Sequence, residues 1–365
     1  MALKTTAGNH GEAAKGRGAT INPEGRFEAW NRGSEDDGWF QDPGEDDRRP
    51  KTVIAIERAK SVVTHNDSPD LGFSQSLNPY RGCTHGCVFC YARPSHGYLG
   101  LSPGIDFETR IFAKTNAPDL LRQELARPGY KCENLVIGVN TDAYQTAERD
   151  LKITRGILEV CSEANQPIGL ITKSALIERD IDILAPMAKK NLVSTTLSIT
   201  TLDPEVSRYM EPRASAPARR LLAVKRLSEA GIPVNVNVAP VIPFLTDSEL
   251  ESILEASAKA GATTAAYTLL RLPWEVKDIF RAWLEERFPL KAAHVMSRVH
   301  QMRGGRDNDP SFGSRMKGQG LFARLLNQRF HKACERLGLN KRESAFDLDC
   351  SRFRPPAPKG QGTLF

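Results

Sequence analysis

Three cysteines, Cys83, Cys87 and Cys90, stand at CxxxCxxC spacing inside the run 78–91, NPYRGCTHGCVFCY. Thiolates set this close along one loop serve a single compact inorganic centre. A cube of four irons and four sulfides takes one terminal thiolate per iron, so three cysteines hold it and leave one iron open. An open iron can be chelated by a small molecule that carries an amino and a carboxylate group. The alternative is zinc in a Cys3His set completed by His85. Structural zinc loops usually join two ligand pairs from separated knuckles, whereas these four residues lie within eight positions. A disulfide framework fits less well still. Cys132, Cys161, Cys334 and Cys350 are scattered along the chain and read as ordinary small buried or half-buried residues.

Other polar residues fall where apolar segments end. Residues 140–145, NTDAYQ, follow one such segment and offer Thr141 and Asp142 either to a ligand or to a helix N-terminus. Lys173 ends another, and an ammonium there is costly unless it meets an anion or reaches solvent. Ser198 lies in the next. In 233–240, PVNVNVAP, alternation places Asn235 and Asn237 on one face and the valines on the other, so the asparagines need polar partners. Arg213, in the run MEPR at 210–213, suits a ribose hydroxyl, a carboxylate or an ion pair with a nearby acid.

These positions need a scaffold that gathers segment ends. Between residues 76 and 290, short β-branched runs alternate with amphipathic stretches, the pattern of βαβ units and a parallel sheet. Strands are predicted at 76–80, 134–141, 167–173, 192–201, 233–243 and 263–272. Helices are predicted at 117–127, 147–164, 175–190, 216–230, 247–260 and 276–288. Thr246 and Glu249 have the capping-box spacing at the start of the fifth helix. Six βα units are too few for a closed eight-stranded barrel, so the expected fold class is α/β, a partial open (β/α)6 barrel. In such folds ligands collect at the carboxyl ends of the strands, where the cysteine loop also emerges.

The segments SPD at 68–70, 78–90 as quoted, and LSPGIDFE at 101–108 resemble the radical S-adenosylmethionine superfamily. Within it, the extended match resembles a bacterial group of uncharacterised proteins related to spore photoproduct lyase. The likeness covers roughly residues 70–290. It implies the partial barrel, a [4Fe-4S] cluster on Cys83, Cys87 and Cys90, and S-adenosylmethionine on the open iron. It also implies a one-electron donor such as flavodoxin or ferredoxin, and a 5′-deoxyadenosyl radical that takes hydrogen from a substrate. By the same resemblance Phe89 lies beside the adenine. Thr141 and Asp142 stand where the superfamily often has Gly-Gly-Glu for the methionyl amino group, and Lys173 and Ser198 match a pair in the spore photoproduct lyase branch. Lys173 would take the methionyl carboxylate, and Asn237 a nucleoside. One departure limits the likeness. The hydrogen-donating cysteine at the second strand end is absent, and the chain reads VNTD at 139–142. Tyr91 and Tyr144 are the candidate replacements, and thymine-dimer reversal is correspondingly disfavoured.

Charge divides the remaining chain. Of the 50 basic and 44 acidic residues, 7 and 10 lie in 1–50, and 15 and 6 in 291–365, so the last quarter carries all the net positive charge. A basic extension on a neutral body suggests nucleic acid as a partner, or a merely solvated surface. The expected organisation is a mostly disordered 1–50, a lead-in at 51–75, the core at 76–290, a basic extension at 291–340 and a loose tail at 341–365. Aromatics at 26–30 and 36–40 could dock as a strap. The arginine- and glycine-rich stretch 303–320 reads as a phosphate-binding loop or as a lid over the barrel. No stretch has the apolar length of a membrane span, and the amino terminus lacks an apolar signal, so no membrane contact and a cytoplasmic location are expected. The chemistry left open is a radical enzyme on nucleic acid, one on a small molecule or peptide, or a zinc-binding interaction module.

Overall fold

The structure, a computed structural model, describes residues 16–27, 50–341 and 347–357. Its first strands are β1 (Val53–Ile56), β2 (Val63–His65), β3 (Gln75–Leu77), β4 (Tyr80–Arg81) and β5 (Arg110–Ala113). They are followed by β6 (Leu135–Ile137), β7 (Ile168–Thr172), β8 (Val193–Ser198), β9 (Val234–Val241) and β10 (Thr264–Leu269). Helices α1 (Ile105–Thr109), α2 (Ala117–Leu125), α3 (Glu148–Leu151), α4 (Ile153–Ala164) and α5 (Ile181–Ala188) lie in the first half. The second half holds α6 (Pro204–Met210), α7 (Pro217–Glu229), α8 (Leu250–Lys259), α9 (Val276–Arg287), α10 (Pro289–Met302) and α11 (Gly320–Leu337).

Six strands, β3 and β6 to β10, pair in parallel in chain order, and β2 adds to one edge in antiparallel sense. The sheet is therefore unclosed, with β2 and β10 at its edges. Burial on both faces explains its composition. Every residue of β6 and β8 is buried, and the small polar side chains of β8 find partners inside: Thr195 donates to the Pro233 carbonyl at 2.9 Å, and Asn235 donates to Thr196 at 3.2 Å. Outside, α8 buries Leu250, Ile253, Leu254 and Ser257 along one stripe, the spacing of a helix lying on a sheet.

Several expected elements differ. The predicted strand at 76–80 divides: β3 belongs to the main sheet, while Tyr80 and Arg81 pair with β5 in a second sheet of order β1-β5-β4. That sheet arises from segments too short to show a period, including the supposed lead-in. The helix at 147–164 breaks at Lys152, whose φ is 51°. The capping box does not form. Thr246 accepts from the Ile242 amide at 3.0 Å within its own turn, and the Glu249 carboxylate is taken by Thr201 and, at 2.7 Å, by the Leu202 amide.

The termini dock on the body where they are described. Arg17, Gly18 and Ala19 are buried, and Arg26 pairs with Glu275 at 2.8 Å above the Trp274 ring. Residues 16–27 thus form a strap, and Phe27 stacks on Tyr98; the aromatics of 28–30 and 36–40 lie outside the described residues. Residues 347–357 dock as well: Arg354 donates its amide to the Ala164 carbonyl at 2.9 Å, and Phe353 packs on Tyr130. Among the described residues no helix is long and apolar enough to cross a membrane.

Candidate active site

The cysteine loop leaves β4 after Arg81 and is held by side chains on every side. Arg93, fully buried just beyond it, donates to the carbonyls of Cys87 at 2.9 Å, Gly86 at 3.1 Å and Gly104 at 2.8 Å. Its charge is met by Glu108, itself fully buried. Gln145 accepts from the Thr84 amide at 2.9 Å and donates to the Gly82 carbonyl at 3.2 Å. Gly86 has a φ of 67°, and a Cβ there would stand 2.5 Å from a Glu108 oxygen, so glycine is required on both counts.

The strap seals the outer side of this loop. Gly18 and Ala19 donate their amides to the two Glu108 oxygens at 2.9 and 2.8 Å. Gly18 lies so close that an added Cβ would overlap the Gly86 carbonyl oxygen at 1.7 Å. Glu108 thereby joins three parts of the chain at one carboxylate.

On the inner side, a cavity of about 570 Å³ opens at the carboxyl ends of the parallel strands. Cys83, Cys87, Phe89 and Cys90 form one wall, and Thr141, Asp142, Lys173, Ser198 and Asn237 continue it around the strand ends. Nine of the ten candidate residues therefore share one cavity. Arg213 does not: it is exposed, and its Nε donates to the Gly16 carbonyl at 3.2 Å while its amide donates to the His85 carbonyl at 3.3 Å. It ties strap to loop from outside.

Asp142 and Thr141 are committed to neighbours within the protein. Asp142 accepts from the Lys173 amide and the Thr172 hydroxyl, each at 2.7 Å, and lies 3.3 Å from His85 Nδ1. Burial pushes its pKa up, but His85 and these hydrogen bonds outweigh that and hold it at about 2. Thr141 donates to the Gly82 carbonyl at 2.6 Å. Both residues thus carry the loop as well as lining the cavity. Asn237 Oδ1, in contrast, is buried with no partner. Lys173 Nζ sits 5.7 Å above the Phe89 ring and 3.1 Å from Glu211.

The donor set suits a cluster. Burial pushes the Cys83 thiol up to about 12 and raises Cys87 and Cys90, so none is a ready nucleophile and each needs a metal to ionise it. His85 is engaged by Asp142, which weighs against its completing a Cys3His zinc set. A cube takes one thiolate per iron, and three cysteines on one wall supply three of the four.

The family model for the radical SAM superfamily matches residues 77–256. An uncharacterised protein of Mycobacterium tuberculosis is 37% identical over 245 residues, 66% of this chain and 71% of its own length. The chain belongs to the radical SAM superfamily. Another uncharacterised protein, from Methanocaldococcus jannaschii, is 26% identical over 236 residues, 65% of this chain and 85% of that one. Among solved structures, spore photoproduct lyase complexed with dinucleoside spore photoproduct aligns with a TM-score of 0.57 at 14% identity, covering 78% of this chain and 80% of that one. At that identity the likeness is one of fold.

For a radical SAM enzyme the residues missed in the sequence are those that act across long separations. Glu211 and Arg220 back Lys173; Arg93 and Glu108 hold the loop; Arg271, Arg315 and Met316 complete the cavity on the β10 side. Glu108 and Glu211 each sit in a segment singled out by its motif, and a buried acid among such residues was the available signal. Of the stretch 303–320, Arg315 and Met316 line the cavity. Arg303 is internal, donating to the carbonyls of Leu269, Leu270, Ser314 and Arg315, which leaves its guanidinium no phosphate to bind.

Proposed function

We propose that this protein reductively cleaves S-adenosylmethionine at a [4Fe-4S] cluster held by Cys83, Cys87 and Cys90, and uses the resulting radical on an organic substrate. One observation carries the reading: the three thiols face the same cavity as Phe89, Lys173, Ser198 and the unpartnered Asn237. When bound, the cluster would supply one electron to the sulfonium, breaking its C5′–S bond to release methionine and leave a 5′-deoxyadenosyl radical that would take a hydrogen atom from the substrate.

The chain's own residues hold, orient and seal. Gln145, Thr141 and Arg93 fix the loop's carbonyls and therefore the directions of its thiols. Phe89 offers a flat apolar face to an adenine, Asn237 an acceptor to a base or ribose donor, and Lys173 a charge to a carboxylate. The strap over Gly86 excludes water and oxygen from the loop's outer side. Thr141 and Asp142 line the methionyl end and chiefly keep its wall in place. A flavodoxin or ferredoxin in a reducing cytoplasm is the electron source this chemistry calls for, since thiols stay available for iron there.

The basic last quarter supports nucleic acid as substrate less strongly than its charge suggests. Arg315 is paired with Asp70, Arg329 with Glu251 and Arg352 with Asp349, while Arg303 is internal. A radical reaction on a small molecule or peptide remains the second reading. The test is anaerobic reconstitution with iron and sulfide, then dithionite and S-adenosylmethionine. Formation of 5′-deoxyadenosine is expected, and Cys87→Ala should lose both iron and product. An intact cluster that yields no 5′-deoxyadenosine would refute the proposal.

A further inference from the structure

Opposite the cysteine wall, Arg271 follows β10 and lines the cavity with Tyr91, Arg315 and Met316. Its Nε is buried without a hydrogen-bond partner, and its Nη1 has only the Met316 sulfur, at 3.7 Å. The nearby acid, Asp70, is already spent. It accepts from Arg315 Nε and from the Gly313 amide at 2.7 Å, and Arg315 also donates to Ser68. Two guanidinium groups thus share one carboxylate at a single cavity wall. Burial, and then the like charge of Arg315, both lower the Arg271 pKa, so the site holds positive charge against its own cost.

Lys173 is already engaged, its Nζ lying 3.1 Å from Glu211 and donating to the Ala239 carbonyl at 3.4 Å. It follows β7, and β8 and β9 intervene before β10. Three strand intervals separate the two backbones by about 14 Å.

We propose that Arg271, backed by Arg315, anchors a phosphate group on the substrate. This rests on the reading of the cavity as a radical site and adds the chemical class of what enters it. The planar fork of Arg271 suits a two-oxygen anion, and Arg315, stacked 4.5 Å over Phe312, keeps Asp70 from neutralising it.

The test measures binding alone, on reconstituted protein with S-adenosylmethionine, using a fluorescein-labelled single-stranded dodecanucleotide, and inorganic phosphate as competitor and as ligand by calorimetry. Arg271→Gln should weaken the bound anion about ten- to a hundredfold, and Arg271→Lys by less, the second variant serving if the first fails to fold. Oligonucleotide binding displaced by phosphate assigns the anion to a strand. Phosphate binding without oligonucleotide binding assigns it to a small phosphorylated substrate, and either result supports the proposal. Equal affinities in wild type and both variants, or binding of neither probe, would overturn it. Since no electron transfer or bond cleavage is read, protein that binds anion but makes no 5′-deoxyadenosine would refute the proposed function and spare this inference.

Discussion

Lys173 Nζ lies 3.1 Å from one oxygen of Glu211, and the other oxygen of Glu211 is held by Arg220. One buried carboxylate thus stands between two cations, and Thr200 adds a hydrogen bond at 2.9 Å. Arg220 in turn donates to the Ser198 carbonyl at 2.9 Å. The group fixes where the Lys173 ammonium points and leaves one positive charge over. A bound carboxylate would balance it.

Glu211→Gln keeps the shape and removes the charge, which sets two cations against each other in a dry site. Stability should fall by about 3 kcal/mol in denaturant titration, and the affinity for S-adenosylmethionine should fall with it as Lys173 loses its direction. A Lys173→Met, Glu211→Gln double variant more stable than Glu211→Gln alone would confirm the repulsion.

The same carboxylate gives a pH dependence. Burial raises its pKa, Arg220 and Lys173 lower it more strongly, and it settles at about 2 against an ordinary 4.5. Its folded pKa being depressed, its stabilising contribution is complete above pH 4.5 and is lost as pH falls from there towards about 2. The stability gap between wild type and Glu211→Gln should shrink across that window. A gap that stays constant down to pH ~3 would contradict this assignment.

Asn237 makes no hydrogen bond through Oδ1, so its removal breaks none at that atom. Asn237→Ala should change stability by less than about 1 kcal/mol yet weaken S-adenosylmethionine about tenfold, read by calorimetry. Loss of stability with unchanged affinity would make Asn237 a packing residue.

Gly18 has no room for a side chain, because its Cβ would overlap the Gly86 carbonyl. Gly18→Val should lift the strap and speed the loss of iron in air several-fold, with iron content in anaerobic protein unchanged. Glu108→Gln, which strands the buried Arg93 guanidinium, should be more severe and cost about 3 kcal/mol of stability.

What the sequence determined by itself was local or periodic. Cys83, Cys87 and Cys90 announce their chemistry because all three ligands lie in one loop, and six parallel strands are legible because alternation repeats along the chain. The residues at strand ends could be named for the same reason, since a parallel sheet sends every strand end to one side. Tertiary structure decided what those residues face. Lys173 meets Glu211 at a separation of 38 positions, Arg315 meets Asp70 at 245, and Gly18 meets Glu108 at 90. No periodicity encodes such pairs. Arg213 shows the converse: its sequence neighbourhood suited a ligand, yet the turn after α6 carries it to the outer surface, where the strap takes it. The second sheet was equally hidden, because β4 has only two residues and its pairing with β5 is set by the fold around it.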